Sequence, residues 1–552
     1  MRRGSSWRAR TCVALIALTT ALTGLVPSTA AAEADPVLKP VRQCAELVGQ
    51  FDIPSAATRV TAATVVPATG GEPEYCDVRG QVEPAVGFQL KLPTATFTGR
   101  YLQYGCGAFC GLIFPVQFPD CGGPRGGDLA VAATDDGHVG DGIDGKWAAD
   151  NQAARDDFFF RAPHVVSVAA KRIIAAYYGS PPKHSYFDGC STGGREGLLL
   201  AQRYPDDFDG ILAGAPASYF GPLAGVYATW NIRSNTGENG APIITREKLP
   251  VLHNAAVAAC DRLDGLVDGQ IEDPRACRFD PVAVRCPGAT DQPDCLTAAQ
   301  VEAARKLYAG PADAHGRRLY PGSQPFGSEL AWEGTILPSP DFPVPLHTGI
   351  ADNYLKYIGY PIGTPHSSLK DFQFTVREFD RLTPEGLKAN ALSLDLEPFR
   401  RSGGKLILWH GWADPGIPPA ATLDYYQRLV RHSGGLRQTQ EFARTFMVPS
   451  LYHCAGGDRL TEFNPFRELI GWVERGKAPD KIVATGRDAQ GNELRTRPVF
   501  PYPLRPQYDG TGSIDDANNF VPAPPPTPPR DAVNWVGTDL YYRPGPVAPP
   551  VS

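Results

Sequence analysis

The chain has 552 residues, 42% hydrophobic and 20% charged, which excludes a disordered or low-complexity protein and allows more than one domain or one core with a large insertion. A formal charge of −6 argues against nucleic acid as a partner, because that surface would need to be basic. The 58 glycines and 54 prolines predict many turns and long connections.

Residues 1–32 read as a secretory signal: four arginines, an apolar run from about Cys12 to Val26, then small residues with A-x-A sites. Its removal would take the charge from −6 to −10, and the twelve cysteines to an odd eleven, most of which should pair in an oxidising compartment. No later run of about 18 apolar residues offers a membrane span.

From 35 to 220, apolar runs alternate with helical stretches. RYLQY and LAVAAT read as strands, DFFFRAPHVVSVAAKRIIAAYYG as a long helix, HSYFD as a strand, a helix follows from about Gly193, and DGILAGAPA is the next strand. That alternation predicts a parallel sheet covered on both faces. It lapses from 221 to 396, a stretch rich in Asp, Gly, Pro and aromatics. It resumes over 397–520, with GGKLILWHGWAD and TFMVP as strands and LDYYQRLVRH and PFRELIGWVERG as helices. The expected fold is α/β: an α/β-hydrolase core, 35–220 and 397–520, interrupted by a lid domain at 221–396. Residues 521–552, with PAPPPTPPRD and RPGPVAPPVS, read as an extended or disordered tail.

YFDGCSTGGREGL sets Ser191 in a G-x-S-x-G frame between the predicted strand and helix, where small residues let the backbone turn and lift the hydroxyl clear. A serine nucleophile needs a base and an acid to orient it, in the chain order Ser, acid, His. Asp414, beyond LILWH, and His453, beyond TFMVP, lie where loops leave strand ends. His410 and His432 are set aside because neither closes a strand in a glycine-rich loop. Cys190 precedes the serine and Cys454 follows the histidine, so pairing Ser191 with His453 would bring the two cysteines within bonding reach.

The elements YFDGCSTGGREGLLLAQRYPDDFDGILAGAPA, GGKLILWHGWADPGIPP and YHCAGG resemble the tannase and feruloyl esterase family, over about Cys44 to Phe520. The resemblance implies an exported serine carboxylesterase acting on esters of hydroxylated aromatic acids. It assigns Ser191 as nucleophile, Asp414 as acid, His453 as base and Cys190–Cys454 as a triad-linking disulfide. The partner implied is a small aromatic ester, with neither nucleic acid nor membrane involved. A peptidase or thioesterase would share the triad, and a silent binding protein the fold.

An oxyanion hole needs two amide donors. Thr192 is one; the second is assigned to Gly107, with Cys106 as the near alternative, because YGCGAFCG departs from the family's run of glycines. In CDRLDGLVDGQIEDPRAC, Asp261, Asp264 and Asp268 offer the hard oxygens that suit Ca²⁺. The resemblance adds the carbonyls of Leu266 and Gln270 to that set. Further expected bridges are Cys260–Cys277, Cys286–Cys295 and Cys44–Cys76, which leaves Cys106, Cys110 and Cys121 unassigned. Within the lid, Trp332, Tyr354 and Tyr357 are expected to face an aromatic ring of the substrate.

Overall fold

The computed structural model describes residues 36–113, 127–526 and 529–543. The expected signal at 1–32 and Cys121 lie outside them. One sheet of ten strands organises the chain from Val37 onward. Its strands are β1 (Gly49–Phe51), β2 (Thr58–Val66), β3 (Tyr75–Val82), β4 (Val86–Pro93), β5 (Arg100–Tyr104), β6 (Leu129–Thr134), β7 (His184–Cys190), β8 (Gly210–Gly214), β9 (Lys405–Gly411) and β10 (Ala443–Val448). They stand in the order β1-β2-β3-β4-β6-β5-β7-β8-β9-β10.

From β6 to β10 every neighbour is parallel, as the alternation predicts. These strands are buried on both faces, which is why LAVAAT and LILWH read as unbroken apolar runs. The first four strands are antiparallel, against the expectation of a wholly parallel sheet. The reason is local. β3 and β4 are joined by Glu83, Pro84 and Ala85 alone, a connection too short for a crossover, so the pair must fold back as a hairpin.

Helix α1 (Ala162–Tyr178) carries Pro163 in its first turn and stops at Gly179, whose φ of 81° is the left-handed cap that glycine supplies. It packs on one face of the sheet with α2 (Thr192–Arg203), which follows β7 directly. The other face is closed by Phe466, Leu469, Ile470 and Trp472 against Leu102, Leu212, Ile407 and Phe446. Among the described residues no helix is long and apolar enough to cross a membrane.

Between β8 and β9 the described chain holds helices and turns but no strand beyond isolated bridges. Its main helices are α3 (Leu249–Cys260), α4 (Ala298–Ala309), α5 (Leu346–Asn353) and α6 (Val376–Ala389). It has a small core of its own, around Leu249, Leu252, Val301, Leu307 and Trp332, and it adds Tyr354, Ile358 and Leu382 to the main core. After β9 come α7 (Pro419–His432), α8 (Phe466–Arg475), the pair β11 (Ile482–Arg487) and β12 (Glu493–Val499), and the pair β13 (Arg505–Tyr508) and β14 (Phe520–Ala523).

The tail is a correction. Its proline content predicts an extended or disordered segment, yet its described part docks through residues other than proline. Asp531 takes the Tyr502 hydroxyl at 2.7 Å and pairs with Arg275, Trp535 is 4% exposed, and the Tyr541 hydroxyl lies 3.0 Å from that of Tyr219.

Candidate active site

Ser191 sits at the hinge between β7 and α2 with φ 65° and ψ −121°, a strained conformation for a residue other than glycine. The turn closes only because its flanks are small: a Cβ on Gly189 would fall 2.4 Å from the Gly193 backbone. The Ser191 amide donates to the Gly214 carbonyl at 3.0 Å, fixing the turn to β8.

Asp414 lies in the turn after β9 and is fully buried. Its Oδ1 accepts the amides of Gly416 and Ile417 at 2.8 and 2.9 Å, and its Oδ2 lies 2.7 Å from His453 Nδ1. Burial alone would push this carboxyl up, but the charges and hydrogen bonds of His453 and His410 hold it well below the usual carboxylate range. Burial likewise pulls His453 down, and the Asp414 carboxylate beside it overrides that and raises it above the ordinary histidine value. Cys190 and Cys454 are joined, with Cα atoms 5.9 Å apart, so the residue before Ser191 is tied covalently to the residue after His453.

His410, set aside on sequence grounds, is part of this arrangement. It is completely buried on β9, with Nδ1 2.8 Å from Thr422 Oγ1 and Nε2 3.1 Å from Asp414 Oδ2. Its only signal in the sequence is its spacing, four residues before the aspartate.

Among the described residues nothing accepts from the amides of Thr192 or Gly107. The Cys106 amide is spent on Glu196 Oε2 at 3.3 Å, which removes it as the alternative donor. Cys106 and Cys110, unassigned from the sequence, are disulfide-bonded to each other. Cys44–Cys76, Cys260–Cys277 and Cys286–Cys295 pair as expected, with Cα separations of 5.6, 5.3 and 4.9 Å.

In the acidic loop the Asp261 carboxylate takes the amides of Asp268, Gly269 and Gln270, and Asp264 takes that of Leu266. Asp268 pairs with Arg497 at 2.6 Å and Arg495 at 3.4 Å, while its Oδ1 is buried without a partner. Burial, reinforced by neighbouring acids, pushes the carboxyls of Asp264, Asp268 and Glu272 up. The donors are all oxygens of the kind a hard divalent cation takes, and one is orphaned, but the carboxylates are not drawn together: Asp261 and Asp264 are spent on amides and Asp268 on its arginines. The loop also touches the His453 loop, since the Ser450 hydroxyl donates to Gln270 Oε1 at 3.4 Å and Arg459 to the Gly269 carbonyl at 3.1 Å.

Two expected ring-facing residues are corrected. Trp332 and Tyr354 have no exposed surface, because each is enclosed in an apolar core. The Trp332 indole donates to Ser328 Oγ at 3.0 Å, and the Tyr354 ring packs edge-on against Phe220. Tyr357 is half-buried and packs against the core that holds Tyr354.

A strained serine between a parallel strand and a helix, with an acid and a histidine from later strand ends, defines an α/β protein whose strand–turn–helix has the shape of a nucleophile elbow. The Tannase family model, described as tannase and feruloyl esterase, matches residues 68–523, and the chain belongs to that family of carboxylic ester hydrolases. It is 33% identical to mono(2-hydroxyethyl) terephthalate hydrolase of Piscinibacter sakaiensis, over 87% of this chain and 90% of that protein. It is 32% identical to a probable feruloyl esterase of Arthroderma benhamiae, over 78% and 81%. The crystal structure of feruloyl esterase B from Aspergillus oryzae superposes with a TM-score of 0.74 at 27% identity, covering 84% of this chain and 97% of that one.

Proposed function

We propose that the chain is an exported serine esterase with an α/β-hydrolase core and a lid, which cleaves esters of hydroxylated aromatic acids such as feruloyl or galloyl esters. The observation that carries this reading is the covalent tie between the Ser191 elbow and the His453 loop, with Asp414 seated on the imidazole. Ser191 Oγ attacks the ester carbonyl carbon while His453 Nε2 takes its proton. Asp414 holds Nδ1–H and so fixes the tautomer that leaves Nε2 free to accept. The tetrahedral oxyanion is met by the amides of Thr192 and Gly107. Its collapse breaks the bond to the alcohol, which leaves with the proton from His453. Water, deprotonated by the same imidazole, then releases the acid from Ser191.

The core is indifferent to the acyl group, so selectivity falls to the segment between β8 and β9, where Tyr357 is the remaining candidate for a ring contact. Asp261, Asp264 and Asp268, with the carbonyls of Leu266 and Gln270, would hold a Ca²⁺ ion. When bound, that ion supplies charge neutralisation and cross-links the loop. Binding needs Asp261 and Asp264 to turn from backbone amides to the metal.

The test is a panel of methyl ferulate, methyl gallate, chlorogenate, mono(2-hydroxyethyl) terephthalate and aliphatic esters of similar size, run with wild type and Ser191→Ala. Higher kcat/KM for the hydroxylated aromatic acids, abolished in the variant, is expected. Equal turnover of short aliphatic esters would remove the substrate claim and leave the chemistry standing.

A further inference from the structure

Behind the loop that follows β5 lies a closed cluster with no part in the steps above. It joins Cys106 and Cys110 of the loop, Asp136 beyond β6 and Glu196 on α2, which are 5%, 1%, 0% and 1% exposed. Their sulfur and carboxylate atoms lie within 4.8 Å of one another. The sulfurs are bonded to each other and carry no proton. The Asp136 and Glu196 carboxyls are buried together within that distance, and burial, with the charge of Glu196 beside it, pushes the Asp136 carboxyl well up, so the pair holds a proton. Charge agrees: Arg195 is the adjacent cation, its guanidinium donating to the carbonyls of Phe158, Phe159 and Ala389 between the rings of Phe158 and Phe220. One guanidinium balances one ionised carboxyl, not two.

The second oxygen of Glu196 reaches the loop, where Oε2 accepts the Cys106 amide at 3.3 Å. The Cys106 carbonyl accepts the Gly193 amide at 2.8 Å, and the Thr192 hydroxyl donates to the Ala108 carbonyl at 2.6 Å. Both peptide planes of Cys106 are therefore tied to α2. In a trans peptide the N–H points opposite to the C=O, so the direction of the Gly107 N–H is set by the bond between Cys106 and Gly193.

We infer that Glu196, buried against Asp136, is a positioning residue for the oxyanion loop: it holds the Cys106 peptide on α2 so that the Gly107 amide stays aimed at the developing charge. This rests on the reading of Ser191 as nucleophile and of Thr192 and Gly107 as donors. The loop is braced from behind by the Cys106–Cys110 bridge and by Glu196 on α2.

The experiment compares kcat, KM and inhibition by phenylboronic acid, whose adduct with Ser191 puts a tetrahedral anion in the hole. Glu196→Ala is expected to lower kcat on the order of a hundredfold, to weaken the boronate by a similar factor and to leave KM within about threefold. Glu196→Gln and Asp136→Asn should keep both readouts within about threefold of wild type, because an amide oxygen still accepts from Cys106 in the first and Glu196 itself is untouched in the second. Should Glu196→Ala not fold, Glu196→Asp draws the acceptor back by one methylene and should show the same paired loss. A lowered Tm with unchanged kcat and boronate affinity in both Glu196→Ala and Glu196→Asp would overturn the proposal. So would Glu196→Gln as impaired as Glu196→Ala, or one zinc per chain in the exported protein that is lost in Cys110→Ser. Turnover by Ser191→Ala would instead remove the reading on which the inference stands.

Discussion

The Asp414 carboxylate is completely buried and lies 2.7 Å from Nδ1 of His453, whose side chain remains 26% exposed. On the proposed mechanism the acid is thus withheld from water while the imidazole it orients keeps some exposure. As the proposed base, His453 would have to be neutral to accept the Ser191 proton, and Asp414 raises its affinity for protons above the ordinary value. Lowering the pH through that raised pKa protonates the ring and removes the base. The acid limb of kcat/KM should therefore fall above pH ~6.5. Asp414→Asn leaves only burial acting on the ring, so its limb should move to lower pH while kcat drops on the order of 10⁴-fold. A limb that stays in place in the variant would show that another group sets it.

The Cys190–Cys454 bridge closes a separation of 264 residues. Its loss by Cys190→Ala/Cys454→Ala is expected to cost about 2–5 kcal/mol of stability. The sharper consequence is geometric, since a displacement of about 1 Å between Ser191 and His453 costs on the order of a hundredfold in rate. Measured where the variant is still folded by circular dichroism, kcat should fall that far. Wild-type kcat in a folded variant with both sulfurs gone would show that packing alone keeps the register.

The acidic loop predicts a separate dependence on metal. A ligand that binds only the folded state at 100 times its Kd contributes about 2.7 kcal/mol, so a chelator should lower Tm and added Ca²⁺ should restore it. Asp264→Asn should lower Tm and abolish the response to chelator. The acid limb set by His453 should not move. A Tm unchanged in excess chelator, with no metal found by elemental analysis, would leave the Asp268 pairs with Arg495 and Arg497 as the loop's only neutralisation.

Residues that act through their place in the chain were legible in the sequence. β5 to β10 are buried on both faces and so are written as apolar runs, and Ser191, Asp414 and His453 each follow such a run at once. Residues that act through contacts between distant segments were not. Glu196 reads as one more charge on a helix, and Asp136 as one of a pair of acids after a strand; only the folded chain brings them together beside Cys106. His410 failed because a buried histidine on a strand looks the same whether it fills space or holds an aspartate. Trp332 and Tyr354 failed in the opposite direction, since an aromatic on a helical insertion has the same pattern for a core as for a pocket. The tail misled because proline content reports the backbone's tendency, whereas Asp531, Trp535 and Tyr541 decide the docking.

The last expectation concerns how the segment between β8 and β9 is fastened to the His453 loop. His253 on α3 is 5% exposed, with Nδ1 3.0 Å from Glu329 Oε2 and Nε2 3.3 Å from Asp458 Oδ2, five residues beyond His453. Burial alone would pull this imidazole down, but Asp458 and Glu329 together push it up to about 9. A group whose folded pKa is raised contributes stability that is complete below its unfolded value and is lost as pH rises through the folded one. The window runs from pH ~6.5 to about 9, and the shift corresponds to on the order of 3 kcal/mol. Wild type should therefore lose Tm steeply across that window, in company with other groups that titrate there. His253→Gln should start lower, since it leaves two carboxylates without their cation, and should then lose less Tm over the same range. The informative quantity is the difference between the two slopes. Equal slopes would mean that His253 is neutral in the folded protein, held by a single hydrogen bond to one of the two acids, and that the fastening is not ionic.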